Sequence, residues 1–300
     1  MERDLTAGAG APTLSLGTVK PRSRSREILR GLVRNKGALA GLIILIVMIL
    51  GAVFAPLITT YDPIKIDPPS RTLPPSRDHW LGTDAFGRDI YTRIVYGGRV
   101  SLPVGLIAVA IAASVGALLG LIAGYYGRWA DGIIMRLIDI LLAFPNIMLA
   151  LIIVAILGPN IRNVMIAVGV GAIPAYTRLI RGQVLSAREL LYVEAAKVIG
   201  VPTSKIMYRH ILPNVVSPVI VLGTLSVGTA ILAAAGLSFL GLGAQPPRPE
   251  WGSMLADGRQ FLRSHWWVAT MPGMAIALTV LSINMFGDGL RDILDPRIRS

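Results

Sequence analysis

The sequence predicts an all-α fold: a polytopic transmembrane helical bundle of six spans, with N-terminus and C-terminus cytoplasmic. Three observations predict it. Only 15% of the 300 residues are charged against 53% apolar, and the mean hydropathy is +0.64; a soluble domain carries about a quarter charged residues to cover its surface. Six apolar runs approach or exceed the ~20 helical residues that a ~30 Å hydrocarbon core requires. The basic residues crowd at the ends of those runs, so the net charge of +12 reads as membrane orientation and not as nucleic-acid binding.

The runs are taken in order. Residues 1–37 form a basic tail carrying Arg3, Lys20, Arg22, Arg24, Arg26, Arg30, Arg34 and Lys36. The first span, 38–58, has no charge and follows a tail too long for a cleaved signal peptide, so it reads as an uncleaved anchor. Residues 59–99 form an external loop, whose six basic residues are offset by Asp62, Asp67, Asp78, Asp84 and Asp89. A five-span core, 100–290, follows, with spans expected over 100–124, 133–157, 163–180, 215–242 and 266–286. A cytoplasmic loop lies at 181–213 and a cytoplasmic tail at 291–300. With the N-terminal tail inside, the inside segments hold the majority of the 29 Lys and Arg.

Within the second span, Ala108, Ala112, Gly116, Gly120 and Gly124 recur every four residues, which puts small residues on one face where another backbone can approach closely. Pro145, Pro174, Pro218 and Pro272 fall inside spans and each removes a backbone donor. Trp266 and Trp267 are placed to anchor the outer end of the last span at the interface. Asp139 is the one clear acid within a span. It stands three residues from Arg136, and that spacing leaves open an ion pair fixing a helix end or a gating charge.

The 181–213 loop carries the most information. Ser186 followed by Glu189 reads as a capping box that starts a short helix. Leu191, Ala195, Val198 and Ile199 then share one face, and Gly200 with Pro202 ends the helix. A second short helix is expected over 204–210, and Pro213 opens the next span. An apolar face of this kind lies in the lipid interface or docks into a groove on another protein.

Several chemistries are missing. No G-x-x-x-x-G-K-[ST] occurs, so no nucleotide phosphate loop is present. His79, His210 and His265 form no H-E-x-x-H, and the absence of Cys removes thiolate sites and disulfides. No catalytic, metal-binding or cofactor-binding residue is assigned.

Glu194-Ala195-Ala196, then three residues, Gly200, nine residues, and Leu212-Pro213 resemble the EAA loop of ATP-binding-cassette importer permeases. His210 departs from the usual Ile, and His210-Ile211-Leu212-Pro213-Asn214 is similar to the dipeptide/oligopeptide/nickel branch. So are Trp80-Leu81-Gly82-Thr83-Asp84 with Gly87-Arg88-Asp89, Gly236 to Gly243 with Glu250-Trp251-Gly252, and Gly287 to Asp292 with Leu294-Asp295-Pro296-Arg297. The chain therefore resembles the second, C-type permease of that branch over residues 30–297. The resemblance implies the type I importer permease fold in a prokaryotic cell membrane, with the lipid bilayer around it. It implies a heterodimer with a homologous B-type permease, and two cytoplasmic ATPases that hold the ATP and Mg and dock on 194–200. An extracytoplasmic solute-binding protein would deliver cargo to the 59–99 and 244–265 loops. Short peptides are the implied cargo; nickel chelates, glutathione or oligosaccharides are alternatives within the same class. An ion-coupled secondary transporter is the distant one.

Overall fold

The computed structural model describes residues 31–294 apart from Val33; the basic residues up to Arg30 and the Asp295-Pro296-Arg297 string lie outside the described residues. Among the described residues the fold is helix and loop, with one isolated bridge between Thr83 and Asp89. Helix α1 spans Lys36–Val53, α2 Ile90–Tyr126, α3 Arg128–Leu142, α4 Asn146–Leu157, α5 Ile161–Ala187, α6 Leu191–Val198, α7 Leu212–Phe239, α8 Trp251–Gly258 and α9 Trp267–Leu294. Among the described residues, five helices are long and apolar enough to cross a membrane alone, and α3 with α4 makes a sixth if the bent pair is one span.

The expected spans shift where local chemistry overrides hydropathy. The first ends at Val53, because Pro56 allows only a separate turn, Ala55–Ile58. The second begins at Ile90 inside the stretch read as loop, because the Asp89 carboxylate caps it by accepting from the Thr92 amide at 2.7 Å. The third is not one helix: α3 and α4 meet at 90°. Pro145 has no amide proton to continue the helix and disfavours helical backbone at Phe144, so the chain turns there. The fourth runs on through Ser186 to Ala187. Ser186 is therefore no cap: its hydroxyl bonds back to the Gly182 carbonyl, and α6 begins after Leu190 without a side-chain cap. The expected break at Pro213 is absent too, since Thr203–Phe239 is one continuous helix. A π-turn over Ile206–Ile211 ends two residues before Pro213, which stands in the first turn of the α-helical stretch that follows.

Helices α2 and α5 form the spine. Ala108, Ala112, Gly116, Gly120 and Gly124 are all buried. A Cβ built on Gly116 would lie 2.5 Å from the Cβ of Tyr176, one on Gly120 2.8 Å from that of Ile180, and one on Gly124 2.7 Å from that of Val184. Four-residue steps on α2 thus meet four-residue steps on α5 in parallel register, which only side-chain-free positions permit. Around this spine α7 and α4 close one apolar core, and α1, α8 and α9 close another about Trp251 and Trp267.

The 59–89 segment is folded into a fixed cap. The Thr83 hydroxyl donates to the Ser70 carbonyl at 2.5 Å and accepts from the Leu73 amide at 2.8 Å. Asp84 accepts from the amides of Phe86 and Arg88 and pairs with the Arg88 guanidinium at 2.7 Å. His79 Nδ1 lies 3.0 Å from Asp89. Gly87 has φ +77°, and a Cβ there would run into the Asp67 carbonyl. Trp267 is not an interfacial anchor: it is buried against Gly82, whereas Trp266 is exposed.

Candidate functional site

Helix α6 stands at one end of the bundle with two faces of opposite fate. Val193 (0% exposed) and Ala196 (5%) pack into a cluster formed by Ile180, Val184, Ile206, Ile211 and Val215. Leu191, Val198 and Ile199 point away at 83, 86 and 77% exposed, and Ala195 and Glu194 are exposed beside them. The periodic face read from the sequence is therefore the outward one.

The motif residues hold this helix at a fixed height. Gly200 has φ +78° and closes α6: its amide bonds the Lys197 carbonyl and the Val201 amide bonds the Ala196 carbonyl, both at 3.0 Å. This is a Schellman cap, which needs a left-handed residue after the helix. Among the described residues no atom lies within 4 Å of a Cβ built at Gly200, so conformation and not space selects glycine. The Asn214 amide donates to the Tyr192 hydroxyl at 2.7 Å and to the His210 carbonyl at 2.9 Å. His210 and Leu212 are half-buried, Pro213 and Asn214 exposed. Tyr192 of α6, which the motif reading left out, thus ties the helix bearing Glu194, Ala195 and Ala196 to His210 and Asn214; no such contact of Tyr192 reaches Leu212 or Pro213 among the described residues.

The small-residue face is separate from this set but ends beside it. Arg188 donates to the Gly124 carbonyl at 3.1 Å, and Lys197 lies 5.6 Å from the centre of the Tyr125 ring. Asp139 pairs not with Arg136 on its own helix but with Arg178 on α5, at 2.6 Å. Asp131 on α3 takes both guanidinium arms of Arg181 on α5.

Further along, α2, α5, α7 and the α3–α4 bend enclose a cleft of about 400 Å³. It opens past Leu142, Asn146, Ala175 and Thr229, which are exposed. Its walls come mainly from small residues of four segments distant in sequence, so no linear pattern marks it.

A helical bundle of five apolar spans, or six with the bent α3–α4 pair, that carries a surface helix and an internal cleft is the architecture of a polytopic membrane protein, and sequence comparison narrows the class. Residues 116–300 match the family described as binding-protein-dependent transport system inner membrane component, and residues 23–75 match the N-terminal TM domain of oligopeptide transport permease C. The chain belongs to this family of inner-membrane permeases. It is 54% identical over 275 residues to the dipeptide transport system permease protein DppC of Alkalihalophilus pseudofirmus, covering 92% of this chain and 90% of that one. It is 47% identical to the probable D,D-dipeptide transport system permease protein DdpC of Escherichia coli, covering 85% and 86%. It is 45% identical to the glutathione transport system permease protein GsiD of Pectobacterium atrosepticum, covering 93% of each chain. A solved structure of the MetNI methionine ABC transporter in an inward-facing conformation shares the fold, with TM-score 0.51 and 18% identity over 67% of this chain and 96% of that one.

Proposed function

We propose that this chain is the C-type permease subunit of an ATP-driven importer of short peptides. It would pair with a homologous B-type permease, and two ATPase subunits that bind ATP and Mg would dock on α6. The observation that carries the reading is the split of α6: Val193 and Ala196 fasten it into the bundle while Leu191, Val198 and Ile199 face outward. A rigid apolar ridge of this kind fits a groove on a partner and transmits that partner's movement through α5 and α7. The basic residues of the N-terminal tail support a cytoplasmic position for both termini and for α6. The 59–89 cap and the 244–265 segment then face a solute-binding protein. The dipeptide names of the relatives support peptides as cargo. Identity of 45% to a glutathione permease supports a second cargo, itself a modified tripeptide.

The test is a pull-down from detergent-solubilised native membranes through a tag on this chain, with mass spectrometry of the captured proteins. Recovery of a second permease and phosphate-loop ATPases, and loss of the ATPases alone from Glu194→Lys, is the expected result. Recovery of this chain alone, with uptake persisting in ATP-free proteoliposomes, refutes the reading.

A further inference from the structure

The cleft between α2, α4, α5 and α7 has a chemical character of its own. Among the described residues seventeen line it, and none is Asp, Glu, Lys, Arg or His. Its volume of about 400 Å³ is within the range of small-ligand sites, ~300–1,000 Å³. Polar groups are confined to uncharged ones, among them Asn146, Tyr176, Ser226 and Thr229. The nearest charges along the lining helices are Asp139, three residues before Leu142, and Arg178, three after Ala175. These two bond each other at 2.6 Å and form a neutral pair.

We infer that this cleft is a charge-blind subsite for a short peptide, which it contacts through apolar walls and uncharged hydrogen-bonding groups without a counter-ion for termini or side chains. The inference rests on the peptide-importer reading. A fixed charge in a low-dielectric wall would hold cargo of one sign and repel the other. A transport site must also release what it admits, which favours weak, unspecific contacts. A wall of small apolar residues with neutral polar groups meets both requirements, and it passes peptides of either net charge at similar rates.

The absence of Cys from this chain allows a charge to be added after folding. Ala175 is exposed on the cleft wall. The experiment uses Ala175→Cys in the complete transporter, with cysteine-free partners, in proteoliposomes. Uptake of Ala-Ala, Lys-Ala and Asp-Ala is measured before and after labelling with a cationic or an anionic methanethiosulfonate. Before labelling, the three rates at saturating loaded binding protein should agree within about threefold, as a wall with no counter-ion requires. The cationic label should lower the Lys-Ala to Asp-Ala ratio about tenfold and the anionic label raise it by a similar factor. An unmoved ratio after complete labelling, or an Ala175→Cys transporter that neither reagent modifies, overturns the charge-blind subsite while leaving peptide import standing. Failure of the wild-type transporter, assayed alongside, to move any of the three dipeptides overturns the peptide reading and this inference with it.

Discussion

The Asp131 carboxylate receives both arms of the Arg181 guanidinium, with Arg181 Nη2 2.6 Å from Asp131 Oδ2. The pair joins α3, which buries only Ile138 among the described residues, to α5, whose far end leads directly into α6. The neighbouring pair, Asp139 with Arg178, is more than half exposed on both sides. Paired guanidinium and carboxylate in fork geometry are stronger than single contacts, and exposure weakens both. The Asp131–Arg181 pair is therefore the strap that holds α3 against α5, the helix that leads into α6. In a double-mutant cycle of thermal midpoints in detergent, Asp131→Asn and Arg181→Gln should show a coupling of about 1 kcal/mol, against a few tenths for Asp139 with Arg178. The swap Asp131→Arg with Arg181→Asp should regain most of the loss; a swap no better than either single reversal would show that the pair does not hold α3.

These pairs also mark the limit of what the sequence discloses. Asp139 and Arg136 stand at helical spacing, yet Asp139 reaches across to Arg178, because α3 turns away at Pro145 and lays its acidic positions along α5. Hydropathy counts residues 133–157 as one apolar run and does not register a right-angle bend, although Pro145 was visible as its cause. The α2 face from Ala108 to Gly124 was legible because its period is a property of one helix. Its partner positions 176, 180 and 184 were not, since their side chains are large and carry no period of small residues. Ser186 misled because a capping pattern is identical whether the preceding helix stops or continues. The outward face of α6 was readable from Leu191, Val198 and Ile199, while Tyr192, which fixes its height through Asn214, carried no spacing signal.

The close approach of α2 to α5 predicts a graded response to added carbon. Gly116→Ala places a methyl 2.5 Å from the Cβ of Tyr176, and Gly120→Ala places one 2.8 Å from both the Thr177 carbonyl and the Ile180 Cβ. Each should cost about 1–3 kcal/mol, because the backbones must separate, and Leu at either position should prevent a folded transporter. Among the described residues, Gly132 on α3 has no atom within 4 Å of a built Cβ. Gly132→Ala should be neutral or stabilising by up to ~1 kcal/mol from helix propensity. Thermal midpoints of the purified transporter check all three, and equal losses at Gly116 and Gly132 would contradict a special approach at the spine.

At Gly200 the constraint is conformational, so residues should rank by tolerance of positive φ and not by size. Its φ of +78° in open space predicts that Gly200→Asn retains most function, since Asn tolerates the left-handed region. Gly200→Ala should cost about 1 kcal/mol and Gly200→Val more, with Gly200→Pro abolishing the cap. The readout is ATPase retained by the tagged permease on purification, normalised to inserted permease. Equal retention by Asn and Val variants would show that the cap does not position α6.

Glu250 tests whether the opposite end of the bundle is structural. It is 3% exposed, and its carboxylate accepts from the amides of Gly252 and Ser253, each at 2.8 Å, at the start of α8. The next residue, Trp251, donates its indole N–H to the Ile94 carbonyl at 2.8 Å and its amide to the Ser101 hydroxyl at 3.2 Å. The buried charge is thus offset by the N-terminus of α8, and the cap fixes the indole that ties α8 to α2. Glu250→Ala should cost about 2 kcal/mol, the upper end for a lost cap, and Glu250→Gln less, since one amide oxygen still accepts. Both should lower the thermal midpoint while leaving uptake per folded transporter unchanged. Uptake lost at an unchanged midpoint would instead place this carboxylate in a contact with a partner, and the Glu250-Trp251-Gly252 string would then belong to recognition and not to architecture.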